Sequence, residues 1–493
     1  MTVTTDPVRS LVNAAGLPSI LTAVVAGEWT STTGQRVTDV LDPGTDSIIT
    51  RFEATSTDLV ADAVEGAHRA WQGEWAAMEP AARGRVLMRC ADMFRDKAEM
   101  LAGLESIDTG KPISQARADI AVSARYLEYY AGAVDKFSGE TIPQPRGTFA
   151  YTVHEPYGVI AHITPWNAPL SQMMRGVAPS LAAGNAVVVK PSELTPLTSA
   201  LAAVLMVEAG LPAGLCNIVL GEGPDTGDAL VRHPLIKHIT FTGSVAVGKS
   251  VATVAANRVI GCNLELGGKS PTIVCADADL EKAAAAGALA VIRNSGQSCF
   301  ATTRLLVHRS VEERFLELVA ERMDSLSVGH GLQDPDIGPL ISDKQRTRVL
   351  GLIGDAQRDG ARVLVGGTAG DTDRGHFVMP TLLAQVTNDM PIARHEVFGP
   401  VQSVITFDDV EEAVRIANDT PYGLSAGVFT ADVGRAHRVA AALQAGQVQI
   451  NRYAGAGVEV PFGGYGESGI GREKGMEALA HYSQVKSVIV SVD

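Results

Sequence analysis

Short apolar runs alternate with helical patterns after residue 158, and this alternation constrains the fold more than any other feature of the sequence. The runs that predict strands are Val159–Ile163, Ala186–Val189, Asn217–Leu220 and His238–Phe241. The segments that predict helices are Thr198–Ala209, Asp225–Arg232 and Ala246–Ala256. Short strands separated by helices indicate a parallel sheet with crossover helices. Because such sheets bind ligands at the carboxyl ends of their strands, we expect functional residues there.

A second alternating series begins at Pro271 and predicts a second α/β unit with its own core. Its predicted strands are Thr272–Val274, Leu305–Val307, Val363–Val365, Ser403–Phe407 and Gly427–Phe429. Its predicted helices cover residues 311–325, 342–359 and 409–418. A chain of 493 residues is also too long for one ordinary core. Nearer the N-terminus, the pattern predicts a β-hairpin region over 22–52, followed by amphipathic helices as far as residue 134.

The charge balance and the cysteines argue against several classes of function. The formal net charge is −14, from 41 basic and 55 acidic side chains, which disfavours a nucleic-acid or anionic-membrane partner. The five cysteines show no metal-ligand or disulfide spacing, so we expect no metal site and a reducing compartment, the cytoplasm. We also expect no signal peptide, and the longest apolar runs, such as Ala283–Ile292, are too short to span a bilayer.

A lone thiol and a carboxylate lie beside glycine-containing turns in the middle of the chain. Cys299 ends a Gly-Gln-x-Cys turn, and Glu265 begins the run Glu-Leu-Gly-Gly-Lys-Ser-Pro. A thiolate can attack a carbonyl, and a carboxylate can activate a water that releases the acyl group. A lone cysteine is more often an inert buried residue, so the case for chemistry depends on its surroundings.

Polar residues also follow three of the predicted strands. Asn167 ends the motif Thr-Pro-Trp-Asn and could donate a hydrogen bond to an oxyanion. Lys190 and Glu193 close the next strand, where they could hold ribose hydroxyls. Ser244 ends Phe-Thr-Gly-Ser at a helix start, which attracts anions, although the G-x-G-x-x-G fingerprint is absent. Taken singly, these features would be a turn asparagine, a surface ion pair and an ordinary tight turn.

The order, spacing and residue identities of these motifs resemble those of the aldehyde dehydrogenase superfamily, whose members are NAD(P)-dependent enzymes that oxidise aldehydes to acids. Two later motifs join the set: Glu-x-Phe-Gly-Pro, with Glu396 and Phe398, and Pro-Phe-Gly-Gly, with Phe462. The resemblance extends from about residue 25 to the C-terminus.

The resemblance implies an α/β fold with two parallel-sheet domains and a β arm. We expect a Rossmann-like NAD-binding domain over 1–136 and 158–267, and a catalytic domain over 268–476. Residues 137–157 and 477–493 resemble the oligomerisation arm of the family, which adds strands to a partner's sheet. A homodimer or homotetramer is therefore expected, since an unpaired apolar terminal strand would be a liability for a monomer.

The resemblance also implies roles for the catalytic residues. Cys299 would be the nucleophile that forms a thiohemiacetal and then a thioester, and Glu265 the general base for hydrolysis. Asn167 and the backbone N–H of Cys299 would form the oxyanion hole, and Glu473 would be a second carboxylate in the proton path. The small-molecule substrate would be an aldehyde.

NAD is the expected cofactor, and NADP is less favoured because its 2′-phosphate would face the like charge of Glu193. Lys190 and Glu193 would hold the adenosine ribose, Ser244 would meet the pyrophosphate, and Glu396 would bind the nicotinamide ribose. The full set that the resemblance assigns to the cofactor is Ile163, Thr164, Pro165, Trp166, Lys190, Ser192, Glu193, Gly223, Gly227, Phe241, Gly243, Ser244, Val247, Leu266, Glu396 and Phe398.

The chain departs from the common family pattern where the substrate would bind. Small residues, Ala168, Gly455 and Ala456, stand where many relatives have bulky side chains, which predicts a wide tunnel. Arg175 and Arg293 resemble the arginines with which succinate-semialdehyde dehydrogenases grip a carboxylate, and arginine suits this by bidentate binding. Alternatively, one or both arginines pair with a nearby acidic side chain. The residues predicted to contact substrate are Ala168, Arg175, Arg293, Ser298 and Phe462.

Three alternatives to a hydrolytic semialdehyde dehydrogenase stay open on the sequence. A coenzyme-A-acylating relative typically lacks the general-base carboxylate, so Glu265 favours hydrolysis. A dehydrogenase of bulky neutral or aromatic aldehydes would use the wide tunnel without its charges. A non-catalytic relative would have lost the site, and the intact Cys299, Glu265 and Asn167 argue against it.

Overall fold

The computed structural model describes residues 5–370 and 374–492. The helices are α1 (Thr5–Ala14), α2 (Thr57–Ala70), α3 (Pro80–Asp96), α4 (Ala98–Thr109), α5 (Ile113–Ala133), α6 (Pro169–Ala182), α7 (Leu197–Glu208), α8 (Asp228–Arg232), α9 (Val245–Arg258), α10 (Leu280–Ile292), α11 (Glu312–Asp324), α12 (Asp343–Arg358), α13 (Pro391–Arg394), α14 (Val410–Asn418), α15 (Val433–Ala442) and α16 (Glu477–His481). Over the described ranges, none of these helices is long and apolar enough to cross a membrane.

The strands of the described ranges form four sheets. They are β1 (Ala23–Val25), β2 (Glu28–Thr30), β3 (Val37–Asp42), β4 (Ser47–Glu53), β5 (Thr141–Ile142), β6 (Thr148–Pro156), β7 (Val159–Ile163), β8 (Ala186–Lys190), β9 (Cys216–Ile218), β10 (Ile236–Thr242), β11 (Gly261–Glu265), β12 (Pro271–Val274), β13 (Arg304–His308), β14 (Arg362–Val365), β15 (Thr381–Ala384), β16 (Val401–Phe407), β17 (Ser425–Phe429), β18 (Gln447–Ile450), β19 (Gly469–Ile470) and β20 (Ser483–Ser491).

The first large sheet has the order β19-β11-β10-β7-β8-β9-β1-β2. Its five central strands, from β11 to β9, are parallel, and β19 and β1 flank them in antiparallel pairing. The side chains of β8 are buried along its whole length, which is typical of a parallel strand covered on both faces. All four strands predicted before residue 260 are confirmed. The helix predicted over Asp225–Arg232 is α-helical only from Asp228, because Gly223–Gly227 forms a wider π-helical turn.

The second large sheet has the order β14-β15-β16-β13-β12-β17-β18, and only the β14–β15 pair is antiparallel. Alternate residues of β13 enter different cores: Leu306 packs with one cluster of buried side chains, and Leu305 and Val307 pack with the other. This alternation follows from the two-residue period of a strand and shows that helices cover both faces. The predicted strands and helices of this unit are confirmed, and β15 and β18 are additional strands.

Smaller sheets account for the remaining extended segments. In the N-terminal region β3 pairs with β4 as a hairpin, while β1 and β2 form a second tight pair at the edge of the first large sheet. The C-terminal strand β20 pairs antiparallel with β6 over nine residues, and β5 pairs with the other side of β6. Apolar side chains of β20 stay exposed: Val485 is 62% and Ile489 is 72% accessible.

The segment after β11 connects the two large sheets. β11 ends at Glu265 and β12 begins at Pro271, so the chain leaves the first large sheet and enters the second between these two residues. Two later segments return to the first unit: β19 pairs with β11, and Ala478, Leu479 and Tyr482 pack into its core. The glycine-rich C-terminal loop is thereby held beside the end of β11.

Candidate active site

Two cavities meet at Cys299. The first, of about 310 Å³, lies against the first sheet; the second, of about 390 Å³, lies on the other side of the thiol. Asn167, Gln172 and Cys299 line both of them. The two cavities therefore give two molecules access to one sulfur atom from different sides.

The carboxyl ends of four parallel strands carry the residues around the first cavity. In the sheet register Ile163 is paired with Lys190 on one side and with Phe241 on the other, and Thr242 is paired with Glu265. The predicted strand-end motifs are thus neighbours in space, although they are far apart in sequence. The predicted cofactor residues that line this cavity are Pro165, Trp166, Gly243, Ser244, Leu266, Glu396 and Phe398.

The other predicted cofactor residues lie outside that lining. They are Ile163, Thr164, Lys190, Ser192, Glu193, Gly223, Gly227, Phe241 and Val247. Lys190 is buried at the end of β8, where its Nζ donates to Glu193 Oε2 at 3.3 Å; the Glu193 side chain is 37% exposed. Ser244 caps α9, since its Oγ accepts a hydrogen bond from the Val247 N–H at 3.5 Å.

A strained turn presents Cys299. After α10 ends, Asn294, Ser295 and Gly296 have φ values of 47°, 55° and 72°, all in the left-handed region. At Gly296 a side chain would also collide with the Gly399 carbonyl, which explains the glycine. Gln297 is buried and locks the turn, because its Nε2 donates to the Asn294 carbonyl at 3.0 Å and its Oε1 accepts from the Ile341 N–H at 2.9 Å.

Hydrogen bonds of its side-chain amide and of its backbone carbonyl hold Asn167 against this turn. Its Nδ2 donates to the Gln297 carbonyl at 3.0 Å. Its own carbonyl accepts hydrogen bonds from Lys111 Nζ at 2.8 Å and from Asn294 Nδ2 at 2.7 Å. An amide nitrogen has two hydrogens, so one N–H of Asn167 is still available to an oxygen beside Cys299.

Glu265 is buried, and neither of its carboxylate oxygens has a hydrogen-bond partner within the described part of the chain. Burial raises the pKa of Glu265 well above its ordinary value, Glu473 raises it further, and Arg175 opposes the shift. Burial likewise raises the pKa of the Cys299 thiol to about 12, against the lowering effect of Arg175. Burial therefore disfavours the thiolate, and attack of Cys299 on a carbonyl requires that its thiol proton pass to a base.

Glu396 lies on the wall of the first cavity, beside the loop that follows Glu265. Its Oε1 accepts a hydrogen bond from the Gly268 N–H at 3.2 Å, and burial raises its pKa to about 7. Phe398 contacts Trp166 edge to face, with ring centroids 5.2 Å apart. Arg348 of α12 donates to the Val397 carbonyl at 2.6 Å and so holds this loop to α12. Arg348 lines the first cavity and was not predicted.

All five predicted substrate residues line the second cavity: Ala168, Arg175, Arg293, Ser298 and Phe462. The two arginines differ in their surroundings. Arg175 is buried and forms an ion pair with Glu473, which is the alternative considered from the sequence. Arg293 is exposed, and no carboxylate of the described residues forms an ion pair with it.

Two further lysines line the second cavity and were missed by sequence reasoning. Lys474 Nζ lies 5.2 Å from the Phe462 ring centroid, and burial lowers its pKa to about 8. Its place directly after Glu473 in the glycine-rich motif was the available signal. Lys111 is buried and paired with Asp119. Nothing in the sequence connects Lys111 to Asn167, because α5 and the strands β5, β6 and β7 separate the two residues along the chain.

Comparison with known proteins agrees with this geometry. The model of the aldehyde dehydrogenase family matches residues 29–488. The chain belongs to the aldehyde dehydrogenase family, so the expected family, fold and enzyme class are confirmed.

Individual relatives cover nearly the whole chain. A betaine aldehyde dehydrogenase of Brucella anthropi is 44% identical over 458 residues, which are 92% of this chain and 93% of that protein. The crystal structure of a putative aldehyde dehydrogenase from Burkholderia cenocepacia has a TM-score of 0.94 at 46% identity and covers 96% of this chain and 100% of its own. The NAD+ complex of an aldehyde dehydrogenase from Bacillus cereus has a TM-score of 0.95 at 38% identity, with 100% of both chains covered.

Proposed function

We propose that the protein oxidises an aldehyde to its carboxylic acid with NAD as the oxidant, through a covalent intermediate on Cys299. The observation that carries this proposal is the meeting of the two cavities at Cys299, with Asn167 and Glu265 beside it. The NAD+ complexes of the relatives from Bacillus cereus and Staphylococcus aureus support the choice of cofactor.

The residues of the first cavity fit a dinucleotide. The N-terminus of α9 at Ser244 suits a diphosphate, because its free N–H groups and the helix dipole attract anions. Glu193 lies outside this lining, but its partly exposed carboxylate at the end of β8 suits ribose hydroxyls, and Glu396 of the lining suits the second ribose. Gly267 keeps this side open, since a side chain there would collide with the Glu396 carboxylate. When bound, NAD accepts the hydride of the reaction.

In the first half-reaction the Cys299 sulfur bonds to the aldehyde carbon, and the thiol proton passes to a base. The carbonyl oxygen becomes an oxyanion that the free N–H of Asn167 and the backbone N–H of Cys299 stabilise. One such donor contributes about 3–4 kcal/mol to the transition state in other enzymes. Loss of hydride from the former aldehyde carbon then leaves a thioester on Cys299.

In the second half-reaction Glu265 takes a proton from a water that attacks the thioester carbon. The carbon–sulfur bond breaks, the acid leaves, and the Cys299 thiol is restored by a proton. Neither carboxylate oxygen of Glu265 has a hydrogen-bond partner among the residues that the structure describes, and this supports the role because the carboxylate can hold a water. Burial raises the pKa of Glu265, and a carboxylate with a raised pKa is a stronger base toward that water.

The substrate class that the second cavity favours is an aldehyde with a distal carboxylate. The basic residues on its lining are Lys111, Arg175, Arg293 and Lys474, and the one acidic residue on it is Asp119. Asp119 is already paired with Lys111, so Arg293 and Lys474 are the cations left for a ligand. A carboxylate beside an arginine guanidinium gains charge-assisted hydrogen bonds.

A quaternary-ammonium aldehyde is the second candidate, because the relative from Brucella anthropi is a betaine aldehyde dehydrogenase. The cations of the second cavity would repel that substrate. A neutral or aromatic aldehyde would leave them unused, although the small Ala168, Gly455 and Ala456 offer it space.

A substrate panel followed by the absorbance of reduced cofactor tests the proposal. It contains succinate semialdehyde, a longer semialdehyde acid, a neutral alkanal, benzaldehyde and betaine aldehyde. We expect kcat/KM to be about tenfold or more higher for a carboxylated aldehyde, the effect of one charged hydrogen bond. Preference for betaine aldehyde or for the neutral compounds would overturn the substrate class. Formation of an acyl thioester at the expense of acid when coenzyme A is added would overturn hydrolysis.

A further inference from the structure

Arg175 is held on three sides at the centre of the active site. Its Nε forms an ion pair with Glu473 Oε2, and both side chains are almost fully buried. Its guanidinium carbon lies 5.3 Å from the Phe462 ring centroid, and Nη2 donates to Thr242 Oγ1 at 3.3 Å. Thr242 belongs to the first cavity, whereas Phe462 belongs to the second. The guanidinium therefore lies between them, close to Cys299.

This arrangement does not suit the grip on a substrate carboxylate that the sequence suggests. A bidentate grip needs two parallel N–H groups that are free to face the ligand. The Nε edge of Arg175 is occupied by Glu473, and the Phe462 ring lies over the guanidinium. Arg293 has neither restriction among the described residues.

Arg175 is instead surrounded by acidic groups. Glu265 and Glu473 are both buried, and a reacting thiolate at Cys299 would be a third negative group in the same small space. Like charges that share a desolvated site disfavour each other's ionisation, and a fixed cation reverses part of that effect. Among charges near the thiol, Arg175 has the largest effect toward lowering the pKa of Cys299, against burial.

We propose that Arg175 is a positioning residue of the catalytic centre, whose buried guanidinium anchors Glu473 and favours the ionised forms of Cys299 and Glu265. The inference rests on the proposed roles of these two residues. It assigns the substrate carboxylate to the Arg293 side of the second cavity. Arg175 thus acts on every aldehyde, and Arg293 acts only on a carboxylated one.

Other titratable and charged groups face the same space and enter any pH profile. They are Tyr126 of α5, Arg293 at the end of α10, Glu396 of the loop before β16, Tyr453 after β18, and Arg472, Glu473 and Lys474 of the C-terminal loop. Glu396, with a pKa of about 7, and Lys474, with a pKa of about 8, titrate nearest neutrality, so Glu396→Gln and Lys474→Gln serve as references for their contributions.

The test is the pH dependence of Cys299 alkylation by iodoacetamide in the protein without cofactor, with Cys299→Ala as the background. Iodoacetamide is small and uncharged, so its reaction reports the thiolate fraction. We expect Arg175→Met to slow alkylation about tenfold at a given pH below the thiol pKa, since one pKa unit changes the thiolate fraction tenfold. Arg175→Lys should restore most of the rate, and Arg293→Met should change it less than Arg175→Met does.

The Glu473→Gln variant provides an independent test in which Arg175 itself is retained. Freed from its anionic partner, Arg175 should act more strongly on the thiol, so alkylation at a given pH should become faster. Unchanged profiles in Arg175→Met and Glu473→Gln would overturn the inference, as would slower alkylation in Glu473→Gln. If Arg175→Met does not fold, Glu473→Gln and Arg175→Lys decide the question. Steady turnover in Cys299→Ala would instead refute the proposed function, so the two failures are distinguishable.

Discussion

Replacing Arg293 by methionine should weaken the preference for carboxylated aldehydes while leaving neutral ones nearly unaffected. The guanidinium lines the second cavity without an ion-pair partner among the residues that the structure describes. A hydrogen bond to a charged group contributes about 1.5–3 kcal/mol, and the exposure of Arg293 places its effect at the lower end because solvent screens it. The expected loss is about 1.5 kcal/mol, or roughly tenfold in kcat/KM.

The assay compares kcat/KM for succinate semialdehyde, a neutral alkanal and benzaldehyde in the wild type and in Arg293→Met. Arg362→Met is a matched control, since Arg362 is an exposed arginine of β14 outside both cavities. The loss should appear only for the carboxylated substrate, because Cys299 and Asn167 handle the aldehyde end in every case. Equal losses for all three substrates would mean that Arg293 is structural, and the substrate class would have to be reconsidered.

Two further predictions concern the cofactor and the assembly. NAD should give a higher kcat/KM than NADP, because the Glu193 carboxylate would repel the 2′-phosphate of NADP. Glu193→Gln should reduce the difference in kcat/KM between the two cofactors. Equal kcat/KM values for NAD and NADP in the wild type would contradict this prediction. The protein should scatter light as a dimer or tetramer at micromolar concentration, because the long strand β20 exposes Val485 and Ile489, and a purely monomeric signal would count against it.

The sequence predicts four of the five parallel strands of the first sheet, because these four are short, mostly apolar and separated by clear helices. The fifth, β11, is not predicted, since polar Asn263 and Glu265 interrupt its apolar residues. Strands β15 and β18 of the second sheet are not predicted from the sequence, for two different reasons. β15 has four residues, and so short an apolar run fits several structures. β18 lies at the sheet edge, where three of its four residues are only partly buried, and alternation of glutamine with apolar residues over so short a stretch is a weak strand signal.

The residues of the active site also divide into those that a local motif predicts and those that only the tertiary structure brings together. Cys299, Glu265 and Asn167 are each marked by a local turn motif, and the sheet register that brings their strands together follows from the fold. The pairing of Arg175 with Glu473 is a tertiary contact across almost three hundred positions that no local pattern encodes. Lys111 is hidden for the same reason, since its hydrogen bond to the Asn167 carbonyl depends on how α5 packs against α6.

Counting reduced cofactor per active site after rapid mixing with aldehyde and NAD tests covalent catalysis at Cys299 most directly. The wild type should turn over continuously, and Cys299→Ala should form no reduced cofactor while it still binds NAD. Glu265→Gln should form about one equivalent in a burst and then stop, because its thioester forms but does not hydrolyse. Steady turnover in Cys299→Ala, or an unchanged burst and steady rate in Glu265→Gln, would contradict the account.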